Sequence, residues 1–205
     1  LQVKVRDTLH RSLVLNGGTL TVEGEQGDNE GYRALDFYNG IAIKVTANSL
    51  IQGIAGGASY DSDRDAVANP LIWLRGGSPT FTLANGAHLT NNVTYASGNG
   101  MTVLGSTGNE RFVLNGLDRY EEIYTGPTTI GNGDNAVTFE LNATYSGGGA
   151  ITVNDYSRFC GSGSVTGEGD VTLAASNSKL CGSLEVNNVV AANGGMYGDQ
   201  WTEVA

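Results

Sequence analysis

Charge is scarce in this sequence. Asp, Glu, Lys and Arg make up 16% of its 205 residues, against about a quarter in an average soluble domain. Cations are the scarcer half: 11 Lys and Arg face 21 Asp and Glu, for a formal net charge of −10. From residue 126 to 205 the only strong bases are Arg158 and Lys179, against eight acids. With no basic patch legible, nucleic acid and anionic membrane surfaces are excluded as expected partners. Apolar runs are short as well. None approaches the roughly 18 residues of a membrane-spanning helix, so no membrane insertion is expected. The chain begins at Leu1 rather than Met and shows no signal-peptide pattern, which points to a processed mature chain or an excised fragment. Proline occurs three times, and with abundant Val, Ile, Leu and Thr this argues against a disordered linker. Two cysteines do not make a disulfide framework.

What is present is turn chemistry and short apolar triplets. Glycine, at 31 residues, has about twice its usual share. The stretch from Gly149 to Asn187 states one unit twice: Ile151-Thr-Val153 leads to Phe159-Cys160-Gly161-Ser162, and Val171-Thr-Leu173 leads to Leu180-Cys181-Gly182-Ser183. A repeat of about twenty residues cannot close its own core, so copies must stack. Leu13-Val-Leu15, Leu20-Thr-Val22, Phe81-Thr-Leu83, Phe112-Val-Leu114 and Val137-Thr-Phe139 extend the pattern backwards. On spacing, Val137-Thr-Phe139 followed by Tyr145 matches Ile151-Thr-Val153 followed by Phe159. Alternation of period two makes each triplet a strand with one buried face. Asn-Gly pairs at 16, 39, 85, 99, 115 and 193 supply residues that tolerate positive φ at corners.

The expected fold is therefore all-β, a parallel β-solenoid over residues 1–205. Its first part, 1–80, is irregular; 81–190 forms more regular coils, and 191–205 is a terminal segment. The best-buried strands are expected in 34–46 and 71–74, with loops projecting at 24–31 and 53–69. An antiparallel β-sandwich is the alternative, because Asn-Gly is also a hairpin signal.

The run Ile151-Thr-Val-Asn, Gly161-Ser-Gly-Ser-Val165-Thr-Gly167 and Val171-Thr-Leu173 resembles the strand repeats of autotransporter-type passenger domains. The likeness is good over 136–190, loose over 81–115 and weak before that. It implies a right-handed parallel β-helix displayed outside a bacterial cell.

Several residue sets were weighed for chemistry. Cys160 and Cys181 occupy equivalent corners of successive coils, about 4.8 Å apart. They are a disulfide candidate, with two stacked small buried residues as the alternative. Asp61, Asp63 and Asp65 have calcium-loop spacing, but Ala66 stands where that loop needs glycine and no Glu follows at its end. No cofactor is expected beyond calcium at that loop. Glu121 and Glu122, near Asp118, would be the first carboxylates to test for glycan cleavage, yet adjacent strand residues face opposite ways. The Asp-Asp and Gly-His-Gly signatures of pectin-cleaving β-helices are missing, and His10 and His88 lie far apart. Thr19/Thr21 and Thr80/Thr82 would suit ice binding only if the intervening units continued the array, and their triplets do not. Tyr32 and Tyr60, in polar loops, are the better contact-surface aromatics, whereas Phe37 and Trp73 read as core.

These readings predict a non-enzymatic extracellular or cell-surface element, structural or adhesive. Its expected partners are other copies of itself or a host or matrix glycan or protein. Terminal strands around Val3, Val5, Trp201 and Val204 would allow head-to-tail fibre assembly. A carbohydrate-binding or polysaccharide-cleaving β-helix is the second class, and a trimeric phage tail-fibre segment the third.

Overall fold

The computed structural model describes residues 2–3, 7–9, 11–23, 35–54, 71–93, 95–97, 99–117, 122–124, 126–146 and 149–191. Among them there is no helix, and every strand pairing is parallel. That pattern removes the antiparallel sandwich and identifies a parallel β-solenoid.

The chain climbs by coils. The first strands are β1 (Gln2–Val3) and β2 (Asp7–Leu9). Two coils with one long strand each follow: β3 (Leu13–Glu23) with β4 (Leu35–Tyr38), then β5 (Ala42–Ile54) with β6 (Ile72–Arg75). Three-stranded coils come next. They begin with β7 (Thr80–Leu83), β8 (His88–Asn92) and β9 (Tyr95–Ser97), then β10 (Met101–Leu104), β11 (Arg111–Leu114) and β12 (Glu122–Tyr124). The next coil is β13 (Thr128–Ile130), β14 (Thr138–Leu141) and β15 (Thr144–Ser146). After it stand β16 (Ile151–Val153), β17 (Arg158–Gly161) and β18 (Ser164–Val165). The last complete coil is β19 (Val171–Leu173), β20 (Lys179–Gly182) and β21 (Glu185–Val186), and β22 (Val189–Ala191) opens another.

Three faces result. The first is β7-β10-β13-β16-β19-β22, the second β8-β11-β14-β17-β20, and the third β2-β4-β6-β9-β12-β15-β18-β21. The long strand β5 pairs with β7 through its first half and with β8 through its second, so the first two faces begin as one continuous sheet.

Alternate residues turn inward and stack coil on coil. On the first face Ile43, Phe81, Val103, Ile130, Val153 and Leu173 are successive register partners, all buried. On the second face the inward column is Leu89, Phe112, Phe139, Phe159 and Leu180. Ring centroids lie 5.0 Å apart for Phe81–Phe112, 4.9 Å for Phe112–Phe139 and 5.7 Å for Phe139–Phe159. Each such contact adds about 0.5–1.5 kcal/mol beyond area burial.

Polar groups that enter the core are matched. Buried Asn91 donates to the Val113 carbonyl at 2.9 Å and accepts the Tyr95 hydroxyl at 2.8 Å. The Tyr145 hydroxyl lies 3.1 Å from the Thr128 hydroxyl. Glu110, fully buried at the corner between β10 and β11, accepts from the Gly86 N–H at 2.9 Å, the Thr107 N–H at 2.9 Å and the Ser106 hydroxyl at 2.8 Å.

Corners are sharp where glycine permits. Asn39 and Asn85 have φ of 57° and 58°, each followed by a positive-φ glycine, as the Asn-Gly pattern predicts. At the corner after β17, Gly161 has φ 131°, and a Cβ there would stand 1.9 Å from the Leu141 carbonyl oxygen. One coil on, a Cβ on Gly182 would stand 2.3 Å from the Gly161 carbonyl oxygen. Stacked corners press so closely that only glycine fits.

The expected layout needs three corrections. Leu13–Glu23 is one strand rather than two triplets around an Asn16-Gly17 corner: it stays paired with β5 on both sides of a register shift between Leu15 and Asn16, where Thr46 of β5 is passed over. Phe139 pairs with Phe159, not with Val153, so Val137-Thr-Phe139 runs into the second face and is not equivalent to Ile151-Thr-Val153. Phe-Val-Leu and Phe-Glu-Leu on the second face resemble Phe-Thr-Leu and Ile-Thr-Val on the first, which hides the face a triplet belongs to. Finally, Cys160 and Cys181 lie on strands whose corners are the following Gly-Ser pairs. The buried strands were placed well: Leu35, Phe37, Ile43, Val45, Ile72 and Leu74 are all in the core.

Candidate functional site: the second face

The outward side of the second face carries three straight columns. The first runs His88, Arg111, Thr138, Arg158, Lys179. Two residues further along each strand stand Thr90, Val113, Glu140, Cys160 and Cys181. The third column lies at the corner and is a ladder of amides. Asn92 donates to Gln52 at 3.1 Å, Asn115 to Asn92 at 2.9 Å, and Asn142 to Asn115 at 3.0 Å; the Ser162 hydroxyl and N–H both reach Asn142 at 3.2 Å. Sequence separations along this ladder are 40, 23, 27 and 20 residues, so chemical identity is held while coil length changes.

The scarce cations gather here. Six Lys or Arg fall among the described residues, and three of them share the first column. Arg111 forms a 3.2 Å ion pair with Glu140, the one carboxylate on an outward position of this face, and Asn142 donates to Glu140 at 3.1 Å. Arg158 is exposed and Lys179 half-buried. Elsewhere Arg75 is paired with Asp36 at 3.0 Å on the third face. At its N-terminal end the second face meets a shallow cleft of about 370 Å³ lined by Gly18, Thr19, Asn48, Ser49, His88 and Thr90. Asn48 accepts there from the His88 N–H, and Ser49 accepts from the Gly17 N–H.

Cys160 and Cys181 are register partners joined by a disulfide, with Cα atoms 4.5 Å apart and a sequence separation of 21. Both point outward and are half-buried, whereas the flanking Phe159 and Leu180 take the core.

Other sites singled out from sequence fare differently. Val3 lies on β1, where its backbone partners Val22. Val5, Tyr32, Tyr60, Asp61, Asp63, Asp65, Asp118, Glu121, Trp201 and Val204 lie outside the described residues, as does His10, and of Glu122 only its place on β12 is described. Among the described residues no group of three His, Cys, Asp or Glu is arranged to hold a metal. Trp73 is half-buried on an outward position rather than in the core, while Tyr95, grouped with the scattered aromatics, is fully buried. The threonine array is fuller than the triplets suggested. Thr80, Thr102, Thr129, Thr152 and Thr172 form one continuous outward column on the first face. Their neighbours two positions on are Thr82, Leu104, Gly131, Asn154 and Ala174, so no second threonine column accompanies it.

The second face was not anticipated from sequence, although a signal was there. His88-Leu-Thr-Asn-Asn92, Arg111-Phe-Val-Leu-Asn115, Thr138-Phe-Glu-Leu-Asn142, Arg158-Phe-Cys-Gly-Ser162 and Lys179-Leu-Cys-Gly-Ser183 align position by position. Comparison with known protein families, with curated proteins and with solved structures finds no match in any of the three.

Proposed function

We propose that this chain is a non-enzymatic structural and adhesive segment of an extracellular or cell-surface protein, in which the solenoid is a stiff rod that displays its faces. The Cys160–Cys181 bridge carries this reading. It ties successive coils from the outward side, and such bonds persist in oxidising compartments and are rare in reducing ones. The likeness of 136–190 to autotransporter-type passenger repeats supports the same setting. The coil architecture supports rod display, because backbone groups of each coil are satisfied by the coils on either side.

Thiol titration of chain purified without reductant, together with negative-stain electron microscopy, tests this. Absence of free thiol and particles seen as short rods are the expected results. Filaments at high concentration would add head-to-tail assembly through the terminal strands, and a trimer would favour the tail-fibre class. Turnover of a polysaccharide would overturn the non-enzymatic reading.

A further inference from the structure

We propose that the second face is a binding strip for a linear acidic polysaccharide, a uronate polymer, lying parallel to the solenoid axis. This deepens the adhesive reading and rests on it for the setting in which the ligand is met.

Charge distribution is the first ground. The chain is strongly acidic, yet between residues 126 and 205 its only two strong bases, Arg158 and Lys179, are register partners on adjacent strands. Arg111 continues the same column two coils earlier. The fold does not require Arg158 and Lys179 to be neighbours, since solvated Lys and Arg fit equally well at corners. Arg158 and Lys179 stand one coil apart, about 4.8 Å, while Thr138 separates them from Arg111, which is paired with Glu140. A pyranose unit in an extended chain is about as long as one coil is thick. Carboxylates on neighbouring units of such a polymer can therefore meet Arg158 and Lys179, which stand on successive coils.

The amide ladder is the second ground. Each Asn amide has two N–H donors and an acceptor oxygen. Stacking uses one donor of Asn92 and of Asn115, and the other is left for solvent or ligand. Hydroxyl-rich ligands suit such a row, because they both donate and accept at every repeat. A strip with cations along one edge and amides along the other matches a chain that carries one carboxylate and several hydroxyls per unit.

What the face lacks narrows the ligand further. None of its outward positions from His88 to Ser183 is Phe, Tyr or Trp. Neutral glycans and single-stranded nucleic acids are commonly held on aromatic platforms, so neither finds its usual contact here. At the N-terminal end the strip opens into the cleft beside His88 and Asn48, which gives the polymer end somewhere to turn.

Binding of polygalacturonate to the intact chain, measured by calorimetry at low ionic strength, is the test, with dextran and oligothymidylate as comparators. Arg158→Ala/Lys179→Ala should bind polygalacturonate about tenfold more weakly. Arg158→Glu/Lys179→Glu should lose binding, and Lys44→Ala, which removes an exposed cation on the first face, should bind as the parent does. Added salt should weaken the parent's binding. Melting curves are run on every variant, so that a misfolded protein is not scored as a non-binder; the Ala variants serve if charge reversal disturbs the fold. No binding to polygalacturonate, binding indifferent to Arg158 and Lys179, or tighter binding to oligothymidylate each overturns the proposal. Rods without glycan binding would leave the scaffold reading standing, whereas glycan binding by particles that are not rods would remove that reading and keep the strip.

Discussion

Glu110 shows how a charge can be kept inside a molecule that has few charges. Burial alone would raise its pKa, but N–H groups of Gly86 and Thr107 and the Ser106 hydroxyl outweigh it and hold the carboxyl well below the usual carboxylate range. Its stabilising contribution is therefore complete above the ordinary Glu value of about 4.3. As pH falls below that value the unfolded chain takes up a proton that the folded chain refuses, and the contribution is lost. Glu110→Gln should cost about 2–3 kcal/mol at neutral pH, and its melting temperature should fall less steeply than the parent's in acid. Tyr145 is the opposite case. Burial pushes its hydroxyl up to about 12, with the Thr128 hydroxyl partly offsetting. Stability from this group is complete below the ordinary tyrosine value of about 10 and lost as pH rises through the folded value. A tyrosinate absorbance titration should show a late-ionising component that shifts to the ordinary range on unfolding and is reduced by one tyrosine in Tyr145→Phe.

At the scale of strands, the inward phenylalanines and the outward disulfide hold the same coils from two sides. Phe139→Ala should destabilise by about 3–5 kcal/mol. Combined with Phe112→Ala the loss should be less than additive, since the two rings share one column and one space. Reduction of Cys160–Cys181 should cost about 2–4 kcal/mol. Hydrogen exchange should place that loss in β17 to β22 and leave β7 to β10 protected. Gly161→Ala should be worse than either, because the added carbon meets a carbonyl oxygen that cannot retreat without moving the coil beneath. Strand chemistry is also where sequence reading succeeded and then stopped. The Cys-Gly-Ser unit recurs once, 21 residues on, which made the stacking legible; apolar-x-apolar triplets occur on both the first and the second face, which hid the register of Val137-Thr-Phe139. The amide ladder escaped for a related reason. Its members lie between 20 and 40 residues apart, so a search for one fixed period does not bring them together.

Over the whole molecule, stability should behave as a sum of coils and their interfaces rather than as one indivisible core. Denaturant unfolding followed by hydrogen exchange is expected to proceed from the ends, and a single sharp transition shared by β7 and β20 would contradict that. The mixed lengths of the coils carry a further meaning. The ladders from β7 to β22 keep their register while the corners at 84–87, 105–110, 131–137, 154–157 and 174–178 take up different numbers of residues. Thickness is fixed by backbone pairing, but girth is free at these positions. Such a scaffold can be edited in one place without renumbering the contacts anywhere else. Asn132 and Asp134 are exposed and Gly133 between them faces open space, so a foreign peptide spliced there should be carried as a passenger label on an undisturbed stem.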